Sequence, residues 1–319
     1  MVSVTDVLLD VDTGVDDALA ILFAVRHPGL RVRAISCVNG NTDVDQVVRN
    51  TLKVLDAAGA PDIPVATGAR QALIEPHRDA RHVHGQDGMA DLGLPGSTRQ
   101  AVDVHAVELL RQLIRTGTEP VTILALAPLT NIALLLRTYP EVAAGIARIV
   151  SMGGSASRGN ATPVAEFNVW QDPEAAAIVY ASGIPVTMYG LDVFSLVTIS
   201  PQMTAELAAS AEPGARLAGR LLGHESTRLG GDPRPAWIGD AGAACAVADP
   251  GGLVTRRLPV RVELSGASTR GQTVVDHRSE PGEDAVHGVN AVGTPVEVAL
   301  DLDVDRYRAL FLKTVAGGR

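Results

Sequence analysis

Residues 7–20 read Val7-Leu8-Leu9-Asp10-Val11-Asp12-Thr13-Gly14-Val15-Asp16-Asp17-Ala18-Leu19-Ala20, and no other stretch limits the possible folds as much. An apolar, β-branched run leads into Asp10, the pattern of a buried strand. Gly14 permits a sharp turn, and Asp16 and Asp17 open an apolar-periodic run, Ala18 to Val25, that predicts a helix. Four carboxylates therefore crowd the carboxyl end of one strand and the amino end of one helix. In open α/β sheets that crevice is where ligands bind. Helix capping accounts for Asp16 and Asp17, because acids at a helix start accept free N–H groups and suit the dipole. It does not account for Asp10 and Asp12, whose charges repel the other two unless a cation sits among them. Oxygen ligands with no neighbouring His or Cys favour a hard ion, Ca2+ or Mg2+.

The rest of the chain extends this pattern. Val32–Val38 and Pro64–Gly68 read as strands, with a helix from Val44 to Ala58 between them. Further strands are expected at Val121–Leu126, Ile146–Met152 and Pro185–Tyr189, separated by helices at Val104–Arg115, from Leu129 to Leu136 and at Pro173–Ser182. Alternating strands and helices imply a parallel sheet with right-handed crossovers. Pro201–Leu229 reads as helical, Asp240–Val247 as a helix entered from a loop, and the tail as strands at Leu258–Leu264, Gln272–Asp276 and Glu297–Leu302. Glu75–Gly96 lacks periodicity and carries His77, His82 and His84; a connection this long is functional or mobile. The three histidines are a poor zinc set, since their spacing is loose and no thiol or carboxylate completes it. With no repeat, low-complexity block or linker, the expectation is one domain over 1–319.

Composition narrows the partners. The 319 residues are 46% hydrophobic, 20% charged and only 3% aromatic, so the core must be mostly Ala, Val, Leu and Ile. A net charge of −9 argues against nucleic acid or an anionic membrane as partner. Cys37 and Cys245 lie in apolar runs, which reads as buried free thiols in a reducing compartment. No apolar run reaches transmembrane length and no basic-plus-apolar leader precedes the first strand, so a cytoplasmic protein is expected.

Polar residues recur where strands end: Asn39 and Asn41, Asn131, Asn160, Glu166 and Asn168. Asn39 and Asn131 read as ordinary turn residues. Glu166-Phe167-Asn168 is different, placing two long polar groups beside Pro163 and ahead of a Pro-started helix. Amides and carboxylates in a crevice suit a polyhydroxyl ligand, because each sugar hydroxyl both donates and accepts.

Two families share the opening motif. Asp10-Val11-Asp12-Thr13 resembles the start of haloacid-dehalogenase phosphatases, which use Mg2+ and a nucleophilic Asp, but no later counterpart of their Lys and acidic pair is present. The longer run through Ala18 resembles the inosine-uridine-type nucleoside hydrolases. So do Gly40-Asn41, His84-Gly85, Leu129-Thr130-Asn131, Met152-Gly153-Gly154, Gly159-Asn160-Ala161-Thr162-Pro163, Ala165-Glu166-Phe167-Asn168, Asp172-Pro173-Glu174-Ala175-Ala176 and 269–276, all in the family's order. The resemblance implies an open, mostly parallel Rossmann-like sheet with helices on both faces and extra β strands near the C-terminus. It implies Ca2+-dependent cleavage of ribonucleosides to base and ribose, by water activated on the ion with Asp12 as base. Asp12, Asp17, the Leu126 carbonyl and Asp240 match the metal ligands, and Asp10 an acid behind them. Asp16 and Asn41 match groups on the 2′ and 3′ hydroxyls; Asn160, Glu166 and Asn168 match those on the 5′ and 3′ hydroxyls. Met152 packs on the ribose in this reading, Phe167 lies within the same block, and His84 stands near the base. A homodimer or homotetramer is also implied.

The chain departs from the family at three positions. Thr13 stands where Pro is usual, Ala241 replaces the Pro after the last ligand, and Gly239 replaces the histidine often assigned to leaving-group protonation. His84, His224, Arg228 or a stacked Trp237 are the conceivable substitutes. A binder that holds ribonucleosides without cleaving them is the alternative that Gly239 keeps open.

Overall fold

The strand that leads into the acidic turn is shielded from Val7 onward. In the computed structural model Val7, Leu8, Leu9 and Val11 have no exposed surface, as expected for a strand covered on both faces. The structure describes residues 4–280, 282–289 and 293–317. Its strands are β1 (Thr5–Val11), β2 (Leu30–Cys37), β3 (Val65–Thr67), β4 (Val121–Ala125), β5 (Ile146–Met152), β6 (Val186–Tyr189), β7 (Thr198–Ile199), β8 (Ala236–Trp237), β9 (Leu253–Val262), β10 (Thr273–Val275) and β11 (Thr294–Leu302). Nine form one sheet in the order β10-β9-β11-β6-β5-β4-β1-β2-β3, and β7 pairs with β8 separately. From β3 to β11 all neighbours are parallel; β9 runs antiparallel to β11 and to β10. The expected parallel sheet with extra antiparallel C-terminal strands is thus the observed one.

The strand order reverses between β1 and β4, which is the switch point where doubly wound sheets open a crevice. Helix α1 (Val15–Arg26) follows β1 and is buried along nearly its whole length. A helix apolar on all sides can only sit inside a protein, and α1 packs against α2 (Val44–Ala57) and the helix Asp240–Ala248. Asp43 caps α2 by accepting the Gln46 N–H at 2.9 Å. Among the described residues no helix is long and apolar enough to cross a membrane.

Three local expectations are corrected. The helical run 201–229 is two helices, Pro201–Ala208 and Pro213–Thr227. Pro213 can begin a helix but not continue one, and Glu212 caps the second by accepting from Gly214 and Ala215. The long loop contains a one-turn helix, Arg81–His84, too short to show a period. The short helix Leu191–Phe194 and the β7–β8 pair were likewise invisible in the pattern.

Candidate active site

A cavity of about 570 Å3 opens at the switch point. Asp12, Asp16, Asn41, His84, Leu126, Met152, Asn160, Glu166, Phe167, Asn168, Trp237 and Asp240 all line it. Asp17 does not; it is fully buried beside the cavity and organises the turn. Its carboxylate accepts from the backbone N–H of Gly14 at 2.9 Å and of Asp12 at 3.2 Å, and from Asn41 Nδ2 at 3.2 Å. Asp12 accepts from the Asn41 N–H at 2.7 Å. Gly40 allows that approach, since a Cβ there would stand 2.0 Å from Asp12 Oδ2.

Carboxylate oxygens of Asp16, Asp17 and Asp240 lie within 4.8 Å of one another. Among the described residues no Lys or Arg pairs with Asp12, Asp17 or Asp240; the imidazole of His84 lies 3.8 Å from the Asp16 carboxylate. Burial, with the charges of Asp16, Asp17 and Asp12 adding to it, holds Asp240 well above the usual carboxylate range. Burial and the Asp17 charge do the same to Asp12, and burial with the Asp16 charge lifts Asp17 to about 7. Buried acids this close favour a cation among them, and an all-oxygen set, with the Leu126 carbonyl nearby, fits a hard divalent ion. His77, His82 and His84 do not join this group.

Asp10 lies one layer deeper. Its Oδ1 accepts from Ser36 Oγ at 2.5 Å and Asn131 Nδ2 at 2.8 Å, while Oδ2 has no partner; burial raises its pKa to about 7. Asn131 is therefore not a turn residue. It is buried in the helix Thr130–Thr138 and also donates to Cys37 O and accepts from Ala69 N–H.

The opposite wall is built from the loop after β5. Glu166 caps the helix Phe167–Gln171, and its carboxylate accepts the N–H groups of Gly154, Asn168 and Val169. Burial nevertheless lifts it to about 7 against those three bonds. Asn168 Nδ2 donates to Leu126 O at 2.9 Å and Met152 O at 3.1 Å. Asn160 Oδ1 accepts from Phe167 N–H, which leaves its amide N–H2 free to donate.

The mouth of the cavity is more aromatic than the chain. Both tryptophans and two of the four phenylalanines line it, which in a sequence with so few aromatics is itself a signal. Phe194 meets Trp237 edge-on at 6.4 Å, and the Arg228 guanidinium, paired with Glu225 at 2.6 Å, lies 5.9 Å from the Trp237 ring centre. Sequence reading missed Phe194, Glu225 and Trp170. Trp170 carries Arg78 over its face at 4.1 Å. His224 does not reach the cavity; its Nε2 contacts Val83 O at 3.0 Å.

His84 does reach it. Its Nδ1 accepts the Val15 N–H at 3.1 Å, so the ring's proton resides on Nε2. Burial lowers the His84 pKa, against the pull of Asp16. Gly239 adopts φ +52°, where side chains are strained, and a Cβ there would lie 2.9 Å from both Asp16 and the Phe194 ring. The missing histidine is thus a feature of the local backbone as well as of the sequence.

The family profile described as inosine-uridine preferring nucleoside hydrolase matches residues 7–309. The "Non-specific ribonucleoside hydrolase RihC" of Salmonella agona is 41% identical over 302 residues, spanning 95% of this chain and 94% of that protein. Among solved structures, a plant nucleoside hydrolase, PpNRh1, superposes with a TM-score of 0.89 at 29% identity, covering 98% of this chain and 99% of that one. A purine-preferring ribonucleoside hydrolase from Gardnerella vaginalis gives 0.86 at 30% identity, covering 98% of both. With the match running from β1 into the last helix, the chain belongs to the inosine-uridine preferring nucleoside hydrolase family and is a hydrolytic enzyme.

Proposed function

We propose that this enzyme cleaves the N-glycosidic bond of ribonucleosides with the help of Ca2+, releasing base and ribose. The observation that carries the reading is the placement of Asp16, Asp240 and His84 on one cavity at the switch point, with the carboxylate of the buried Asp17 directly beside the first two. Asp12, Asp17, Asp240 and the Leu126 carbonyl would hold the ion, which when bound supplies a more acidic water and a clamp for the sugar diol. Asp12 takes the proton of the water that attacks the anomeric carbon. Asp16 and Asn41 hold the 2′ and 3′ hydroxyls, and Asn160, Glu166 and Asn168 hold the 3′ and 5′ side, with Met152 and Phe167 packed against the sugar. The carboxylates stabilise the positive charge that develops on the ribosyl ring.

His84 stands in for the residue lost at position 239. With Nδ1 committed to Val15, its neutral ring donates an Nε2–H hydrogen bond that stabilises the charge on the departing base and keeps its own proton, the base being protonated afterwards by solvent. Trp237 and Phe194 wall the base. The 41% identity to a relative named as a non-specific ribonucleoside hydrolase supports tolerance of both purines and pyrimidines. Both cysteines are free and buried, consistent with a reducing cytoplasm.

The test is reducing-sugar release from a panel of purine and pyrimidine ribonucleosides, with Ca2+ and then with chelator. Chelator-sensitive release from both classes supports the reading. Saturable binding with no release from any substrate would instead favour the binder that Gly239 brings to mind.

A further inference from the structure

Asn50 lies in the middle of α2, has no exposed surface, and takes no part in the chemistry described above. A buried amide inside a helix is costly unless every polar atom finds a partner. This one does. Its Nδ2 donates to Thr13 O at 3.2 Å and to Asp87 O at 2.8 Å, and its Oδ1 accepts from Gln46 Nε2 at 2.8 Å. Thr13 belongs to the acidic turn; Asp87 belongs to the loop that follows His84. One side chain thus bridges the two segments that hold the carboxylates and the histidine.

The loop it grips is built to be rigid. Asp87 accepts from the N–H groups of Met89 and Asp91, and Asp91 accepts from those of Gln86 and Asp87. Ala90 and Asp91 are the non-glycine residues with positive φ among the described residues, at 58° and 52°. Such conformations persist where surrounding bonds over-determine them. Met89 is fully buried as an anchor, and the Ala90 N–H donates to His84 O at 2.7 Å. Gly88, at φ +75°, presses so close that a Cβ would lie 3.0 Å from Thr42 Cγ2 and 3.1 Å from Asn50 Nδ2.

We infer that Asn50 is a positioning residue for the hydrolytic reaction: by tying the 85–91 loop to Thr13, it fixes the distance from His84 to the anomeric centre. The inference rests on the proposed role of His84 at the leaving base. Asn50 acts through His84, so its effect belongs to departure of the base and not to ribose binding.

The experiment is a double-mutant cycle of Asn50→Asp and His84→Ala, read as kcat and KM on an ordinary ribonucleoside and on a ribofuranoside with a nitrophenolate leaving group. Asn50→Asp keeps the shape but sets a carboxylate against two carbonyl oxygens. The expected result is a ten- to hundredfold fall in kcat on the nucleoside, of the order a misplaced catalytic group costs, with KM changed by less than about threefold. No further loss is expected in the His84→Ala background, and little loss on the nitrophenolate substrate, which needs no donor. Gly88→Ala, which displaces the same contact from the loop side, should show the same pattern and serves if Asn50→Asp fails to fold. Equal losses in both backgrounds, or on both substrates, overturn the inference and leave the role of His84 standing. A harmless His84→Ala overturns both.

Discussion

The Nδ1 atom of His84 and the backbone N–H of Val15 lie 3.1 Å apart in a hydrogen bond that joins the histidine loop to the first turn of the buried helix α1. That bond fixes the tautomer. Protonation at Nδ1 would force it to break, so the active form of His84 is neutral. Activity should therefore fall on the acid side only as pH drops through a His84 pKa below the ordinary histidine value of about 6.5. His84→Ala should lower kcat on nucleosides by about two orders of magnitude and remove that acid limb, as a kcat pH profile of both forms would show.

Removal of the metal should change how stability depends on pH. Asp10, Asp17 and Glu166 each sit at about 7 in the folded chain, above the unfolded value of roughly 4. The folded state then holds protons that the unfolded state has released, so stability is present below about pH 4 and declines as pH rises through 7. Chelated protein should melt higher at pH 5 than at pH 8. Added Ca2+ should raise Tm more at pH 8, where protons no longer compete for the carboxylates. A scanning-calorimetry series at the two pH values, with and without chelator, checks both statements.

Asp12→Asn and Asp240→Asn should behave alike in metal binding and differ in rate. Either removes a charge from the cluster and should weaken Ca2+ binding, measured by calorimetric titration. Asp12→Asn also removes the proposed base, so saturating Ca2+ should leave kcat down by about two to four orders of magnitude. Asp240→Asn should recover part of its activity at high Ca2+.

Gly239→Ala tests the backbone explanation for the missing histidine. A methyl group there meets Asp16 and Phe194 at 2.9 Å and forces a side chain into positive φ. The expected destabilisation is about 1–3 kcal/mol, visible in denaturant midpoint. Gly239→His should lose activity and not gain an acid.

The opening motif was legible because it combines three signals that rarely coincide: a β-branched run, a glycine turn and acids on both sides of it. The parallel sheet followed from the strand–helix alternation, and one polar wall of the cavity from Glu166 and Asn168 beside Pro163. The aromatic end of the cavity was legible only in part: His84, Arg228 and Trp237 stand out in the sequence and line it, but Phe194 and Leu191 sit in a helix of one turn, Glu225 looks like any solvated helix residue, and only the folded chain brings them to Trp237. Asn50 gave no signal, because a polar residue in an amphipathic helix normally faces water, and only burial shows that it does not. Asn131 failed for the opposite reason. A turn-forming residue type after a strand hides a brace on Asp10.

Asn168 carries one more consequence. Its amide N–H2 donates to Leu126 O and Met152 O, the carbonyls at the ends of two adjacent strands. What remains to meet a ligand is a lone carbonyl oxygen, and Glu166 and Asp16 likewise offer only oxygens while ionised. These three groups therefore have a polarity: they can receive hydrogens and have none to give, and the amide of Asn160 is the donor that the same wall keeps. A sugar held by them as proposed would be sensed by the hydrogens of its hydroxyls, so an O-methyl ether of the same size should be as foreign to them as a missing oxygen.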